Sequence, residues 1–77
     1  MILINGMNLE ELRGKIIKFI GNTEFNGKIY EVGGASNNGG LSGNFLNGNG
    51  TANNRHITVE EIKNMIKNGV IIEMIDK

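Results

Sequence analysis

The chain has 77 residues, eight basic and eight acidic side chains, no Pro, Cys or Trp, and 25 positions that are either Gly or Asn. Zero formal charge argues against a general nucleic-acid binder, which needs a basic field, and against an acidic mimic of DNA. One domain of this size removes only about 60% of the unfolded chain's surface from water, and its core rarely supplies more than roughly 3–5 kcal/mol; with no disulfide or Cys/His zinc set to help, assembly into a homo-oligomer is expected.

Met1 to Asn5 is apolar and branched enough for a short strand, and the strong turn dipeptide Asn5-Gly6 follows at once. A brief helix comes next. Asn8 is placed to cap it, Glu11 to close a capping box, Met7 and Leu12 to form a hydrophobic staple, and Gly14 to stop it. At under two turns it depends on packing for its stability. Lys15 to Ile20 reads as a strand with Ile16, Ile17, Phe19 and Ile20 largely buried. Gly21 to Gly27 is a loop, and Lys28 to Val32 alternates polar and apolar residues, so the two strands form a β-hairpin.

From Gly33 to Asn54 no residue is charged and 14 of the 22 are Gly or Asn, a composition that buries too little apolar surface to order itself alone. Leu41, Phe45 and Leu46 anchor a strand in its middle, flanked by two mobile loops at Ser36–Gly40 and Asn47–Asn54, which a ligand or a neighbouring subunit would order.

The last helix has the fullest set of end signals. Thr58 is its N-cap, Glu61 closes a capping box, Ile57 and Ile62 make the staple, and Gly69 stops it. Val59, Ile62, Met65 and Ile66 form its apolar face. Val70 to Ile75 is a final strand whose Ile/Val richness calls for a central or tightly covered place. The expected fold is a single α+β domain over residues 1–77, with a small, strongly twisted antiparallel or mixed sheet, one short N-terminal helix and one capped C-terminal helix.

Sequence patterns for known chemistry fail on spacing. Gly21 to Lys28 has five residues between its glycines, no Ser or Thr after Lys28 and no helix following, so it is not a phosphate-binding loop. Gly48-Asn-Gly50 lacks the third glycine and the helix of a dinucleotide fingerprint. No Ser lies in a nucleophile elbow, and no acidic residue between Glu31 and Glu60 is available to bind calcium. No cofactor and no catalytic residue is expected. There is neither an apolar run long enough to span a bilayer nor a secretory signal, so the expected location is the cytoplasm, with no membrane partner.

Arg55-His56 is the pair with functional promise. It ends the uncharged stretch just before a helix, where a guanidinium, an imidazole and backbone N–H groups can converge on an anion. Lys28 can add a second charge, Asn53 and Asn54 supply amides, and Tyr30 or Phe45 can stack a base. Together these seven residues define a candidate site for a nucleotide-like anion, without sequence-specific recognition of nucleic acid.

Lys15-Ile-Ile-Lys-Phe-Ile-Gly-Asn-Thr-Glu-Phe-Asn-Gly-Lys-Ile-Tyr-Glu-Val32 resembles the opening hairpin of small phage and prophage accessory proteins with a Src-homology-type small barrel, over about a quarter of the chain. Such barrels continue with two more regular strands, whereas this sequence reads as a Gly/Asn loop followed by a capped helix. The resemblance carries over no functional residue. It implies a setting in which proteins of this length antagonise host defence by stoichiometric binding. The expected function is therefore a non-catalytic, homo-oligomeric protein that sequesters a nucleotide immune signal in the host cytoplasm. The alternative is a protein–protein inhibitor or adaptor that docks on a host defence enzyme through a sheet edge or the apolar helix face.

Overall fold

The computed structural model describes residues 8–75 and the backbone of residues 2–3. In chain order these form β1 (Ile2–Leu3), a 3-10 turn (Leu9–Leu12), β2 (Ile16–Ile20), β3 (Ile29–Ser36), β4 (Gly40–Leu46), β5 (Ala52–Ile57), α1 (Val59–Lys67) and β6 (Ile71–Ile75). The strands make one sheet in the order β1-β6-β2-β3-β4-β5, and each neighbouring pair is antiparallel. The chain is thus α+β. The remainder of the strand expected at Met1–Asn5, and Met7 with its staple, lie outside the described residues. Among the described residues no helix is long and apolar enough to cross a membrane.

The short N-terminal helix is only a single 3-10 turn. The Asn8 side chain accepts from the N–H of Glu10 at 3.1 Å, and not from Glu11 as a capping box requires. The Leu9 N–H is satisfied from the far side of the chain, by Asn37 Oδ1 at 2.7 Å, while Asn37 Nδ2 donates to Asn8 Oδ1 at 2.8 Å. Arg13 Nη2 donates to the Ala35 carbonyl at 3.0 Å. Asn8 is thus the N-cap as expected, the box with Glu11 does not form, tertiary bonds to the end of β3 supplement the cap, and Leu9 and Leu12 are buried in the core.

The β2–β3 hairpin forms as the alternation dictates, with Ile17 opposite Tyr30 and Lys18 opposite Ile29. Along β2 only Ile17 and Phe19 are buried; Ile16 is half-buried and Ile20 exposed, because successive strand residues face opposite sides of the sheet. The run of four apolar residues is therefore split between two faces.

The Gly/Asn-rich region is mostly strand. β3 runs through Gly33 and Gly34 to Ser36, a tight turn spans residues 37–39, and β5 begins at Ala52 and takes in Asn53 and Asn54. The two loops expected at Ser36–Gly40 and Asn47–Asn54 shrink to the turns at 37–39 and 47–51. Pairing with β3 and β5 satisfies the β4 backbone on both edges, which composition does not reveal. The register shifts between Val32 and Gly34, a β-bulge that leaves Gly33 as the extra residue. There β3 and β4 approach so closely that a Cβ on Gly43 would collide with the Glu31 carbonyl.

The inner side of the sheet holds Ile17, Phe19, Tyr30, Val32, Leu41, Phe45, Ile57 and Ile72, closed over by Ile62 and Met65 of α1. Its centre is aromatic: Phe45 lies 4.8 Å from Tyr30 and 4.9 Å from Phe25 between ring centroids, and Phe19 touches all three rings. α1 has its full capping box, since Thr58 Oγ1 accepts from the Glu61 N–H at 3.1 Å and Glu61 Oε1 accepts from the Thr58 N–H at 3.0 Å. It stops at Gly69, with φ +83°, after which the Val70 N–H reaches back to the Met65 carbonyl. β6 then enters between β1 and β2.

Candidate functional site

Two polar turns frame a cleft of about 250 Å3 at the β5 side of the sheet. The first, between β2 and β3, is shaped by its own side chains: Asn26 Oδ1 accepts from the Gly21 N–H at 2.8 Å, and the Gly27 N–H bonds the Phe19 carbonyl at 2.7 Å. This folds Phe25 inward, where it is 6% exposed and joins the aromatic core. The second, between β4 and β5, is closed by Asn47 Nδ2 donating to Thr51 Oγ1 at 2.8 Å and by Thr51 Oγ1 donating to Asn49 Oδ1 at 2.7 Å.

Phe25 and Phe45 give the cleft its apolar lining. Lys28, Glu24 and Arg55 bring charge, and Asn47, Asn53 and Asn54 bring amides. Asn54 Nδ2 is committed to the Gly43 carbonyl at 3.1 Å. A second, larger depression of about 460 Å3 shares Lys28, Phe45 and Asn47 with the first and continues past them towards Ile29, Leu46 and Gly48.

Arg55 is the most connected side chain here. Its Nη2 lies 2.6 Å from Glu61 Oε2 and 3.6 Å from Glu24 Oε1, and its guanidinium carbon sits 5.0 Å over the centre of the Phe25 ring. The Thr58 backbone N–H, together with the Arg55 guanidinium, holds the Glu61 carboxyl below the usual carboxylate range. The Arg55 carbonyl in turn accepts from the Tyr30 hydroxyl. Burial pushes that hydroxyl's pKa up to about 12, against a smaller opposing pull from the Arg55 charge.

Of the seven residues expected from the sequence, five line this one cleft: Lys28, Phe45, Asn53, Asn54 and Arg55. The other two do not. Tyr30 has no exposed surface, so it cannot stack a base and instead braces β5 from beneath; Phe45, though it lines the cleft, is 6% exposed and packed against Phe19, Phe25 and Tyr30, so it too offers no free ring face for stacking. His56 follows Arg55 in an extended strand and therefore faces the other side, where its Nε2 donates to the Gly39 carbonyl. Arg55 and His56 do not converge on one anion. The helix N-terminus expected to help them lies on the His56 side, where His56, Thr58, Val59, Glu60 and Lys63 line a separate depression, while its Thr58 and Glu61 N–H groups are taken up by the capping box.

Glu24, Phe25, Asn47 and Glu61 complete the environment without having been singled out for it. An aromatic residue isolated in a Gly/Asn loop, as Phe25 is, was the available signal. Among the described residues no three His, Asp or Glu side chains are grouped to hold a metal ion. No protein-family model matches the chain, and neither a curated protein nor a solved structure matches it.

Proposed function

We propose that the protein is a non-catalytic binding protein that sequesters a small nucleotide-like anion in the cleft between the β2–β3 and β4–β5 turns. The observation that carries this reading is the convergence of Lys28, Arg55, Asn53 and the Phe45 ring on one cleft from three separate stretches of sequence. Lys28 meets the anionic group. Arg55 keeps its short pair with Glu61, but its 3.6 Å contact to the largely exposed Glu24 is of the kind worth little in water, so an incoming anion exchanges for that carboxylate. Asn47 and Asn53 offer amides to the polar edge of the ligand, and Phe25 and Phe45 an apolar lining. At about 250 Å3 the cleft is just below the ~300–1,000 Å3 of ordinary ligand pockets, so it admits one nucleotide unit at most. In the phage setting that the opening hairpin implies, the ligand is an immune signal in the host cytoplasm and the binder acts as a homo-oligomer.

Isothermal titration against a panel of mono-, di- and cyclic nucleotides tests the reading. A discrete affinity for one class, lost in Lys28→Ala and Asn53→Ala with melting temperature unchanged, supports it. No binding across the panel, or binding indifferent to both substitutions, sinks it.

A further inference from the structure

The sheet turns its second face away from the core, and the middle of that face is aliphatic. In β2 the outward residues are Ile16, Lys18 and Ile20; in β6 they are Ile71, Glu73 and Ile75. The register places Ile16 beside Ile75, Lys18 beside Glu73 and Ile20 beside Ile71. Ile29 and Leu46 extend the patch across β3 and β4. Ile20, Leu46 and Ile71 are 38%, 38% and 40% exposed, values that leave large apolar surface in water on a very small protein.

The arrangement is self-complementary. A two-fold axis parallel to the strands, running between β2 and β6, lays each strand of one copy over the other strand of its twin. Lys18 then meets Glu73 of the twin, and Glu73 meets its Lys18. Ile16 faces Ile75 and Ile20 faces Ile71, each contact occurring twice. An isologous interface requires this reciprocity, and aligned sheet-on-sheet packing supplies a geometry for it.

From this register and charge pattern we infer that the outer face of β2 and β6 is a homodimer interface, whose occupant is a second copy of this chain. Four isoleucines per copy leave water, and the two Lys18–Glu73 pairs set orientation and exclude wrong partners. The inference gives the self-association in the reading above its surface. None of Ile16, Lys18, Ile20, Ile71, Glu73 and Ile75 lines the ligand cleft, so the two stand or fall separately.

Charge reversal tests it by sedimentation velocity over a micromolar concentration series. The unaltered chain sediments as a dimer. Lys18→Glu and Glu73→Lys each set like charges face to face and weaken the dimer by about tenfold or more. Mixed together, the two variants form a heterodimer, since the carboxylate introduced at position 18 of one meets the ammonium introduced at position 73 of the other. Both positions point outward, and circular dichroism confirms that each variant is folded. Recovery of the dimer on mixing supports the interface. A monomer at every concentration, or a dimer that both single variants keep at full strength, overturns it; in the first case the patch belongs to another protein. Nucleotide titration of the monomeric variants reports the cleft independently.

Discussion

Arg55 and Glu61, six residues apart in sequence, form a 2.6 Å ion pair that joins β5 to the first turn of α1. The same carboxylate closes the capping box through its other oxygen, so one side chain fixes the angle at which the helix leaves the sheet. The arginine spans further, over Phe25 to Glu24, and so ties the β2–β3 turn to the same junction.

Replacing Glu61 with Ala removes the carboxylate half of the capping box and the ion pair together, leaves the bond from the residue-61 N–H to Thr58 Oγ1, and is expected to cost about 1–2 kcal/mol. Because folding lowers the Glu61 pKa, its contribution is present in full above the ordinary carboxylate pKa and is lost as pH falls through the folded value. Thermal melts of the unaltered chain and of Glu61→Gln between pH 3 and pH 7, an interval set by the ~4 carboxylate reference value, check this. The difference between the two curves should shrink towards the acid end.

Tyr30 behaves in the opposite sense. Its ordinary pKa of 10.0 is raised to about 12, so the unfolded chain releases the proton first. Its contribution is fully present below the ordinary tyrosine pKa of 10.0 and is lost as pH rises towards 12. Tyr30→Phe strands the Arg55 carbonyl without its donor, costs about 1–2 kcal/mol at neutral pH and removes this part of the alkaline decline. Urea titrations at neutral and alkaline pH read both effects.

Gly43→Ala is expected to abolish cooperative unfolding. An added methyl at that point meets the Glu31 backbone, which the bulge holds in place. Relieving that clash requires shifting paired backbone, against a core that supplies only roughly 3–5 kcal/mol. A melt with a normal sigmoidal transition would count against the close approach.

His56→Ala should leave nucleotide affinity within about twofold and lower stability by about 1 kcal/mol through loss of the bond to the Gly39 carbonyl. The same titration that reads Lys28→Ala measures it. A loss of affinity in His56→Ala matching that of Lys28→Ala would place the ligand on the opposite face of β5.

What the sequence made legible was local. Thr58, Glu61 and Gly69 mark α1 because caps and stops act within one turn, and Lys28 to Val32 mark β3 because a half-buried strand alternates. Residues 33–36 and 52–57 were not legible as strands, since Gly and Asn carry no period and their order comes from backbone pairing with β4, contributed by another part of the chain. The same extended strand explains why His56 falls outside the cleft while Arg55 lines it. Once 52–57 is extended, Asn53, Arg55 and Ile57 must share one face and His56 the other. At the 3-10 turn the Asn8 cap is legible in the sequence, but the second partner of its start is not, because Asn37 is 28 residues from the Leu9 amide it serves.

The place of β6 between β1 and β2 has a consequence for synthesis. Ile20 and Ile71 are neighbours in the sheet but more than fifty residues apart along the chain. Until Ile71–Ile75 has left the ribosome, β2 has one edge without its partner, and Ile17 and Phe19 lack the β6 side chains that pack beside them. The nascent chain therefore passes through a stage in which the β2–β5 meander exposes an adhesive edge. Because loop closure of this length precedes the contacts that repay it, the final insertion is expected to be the slow event.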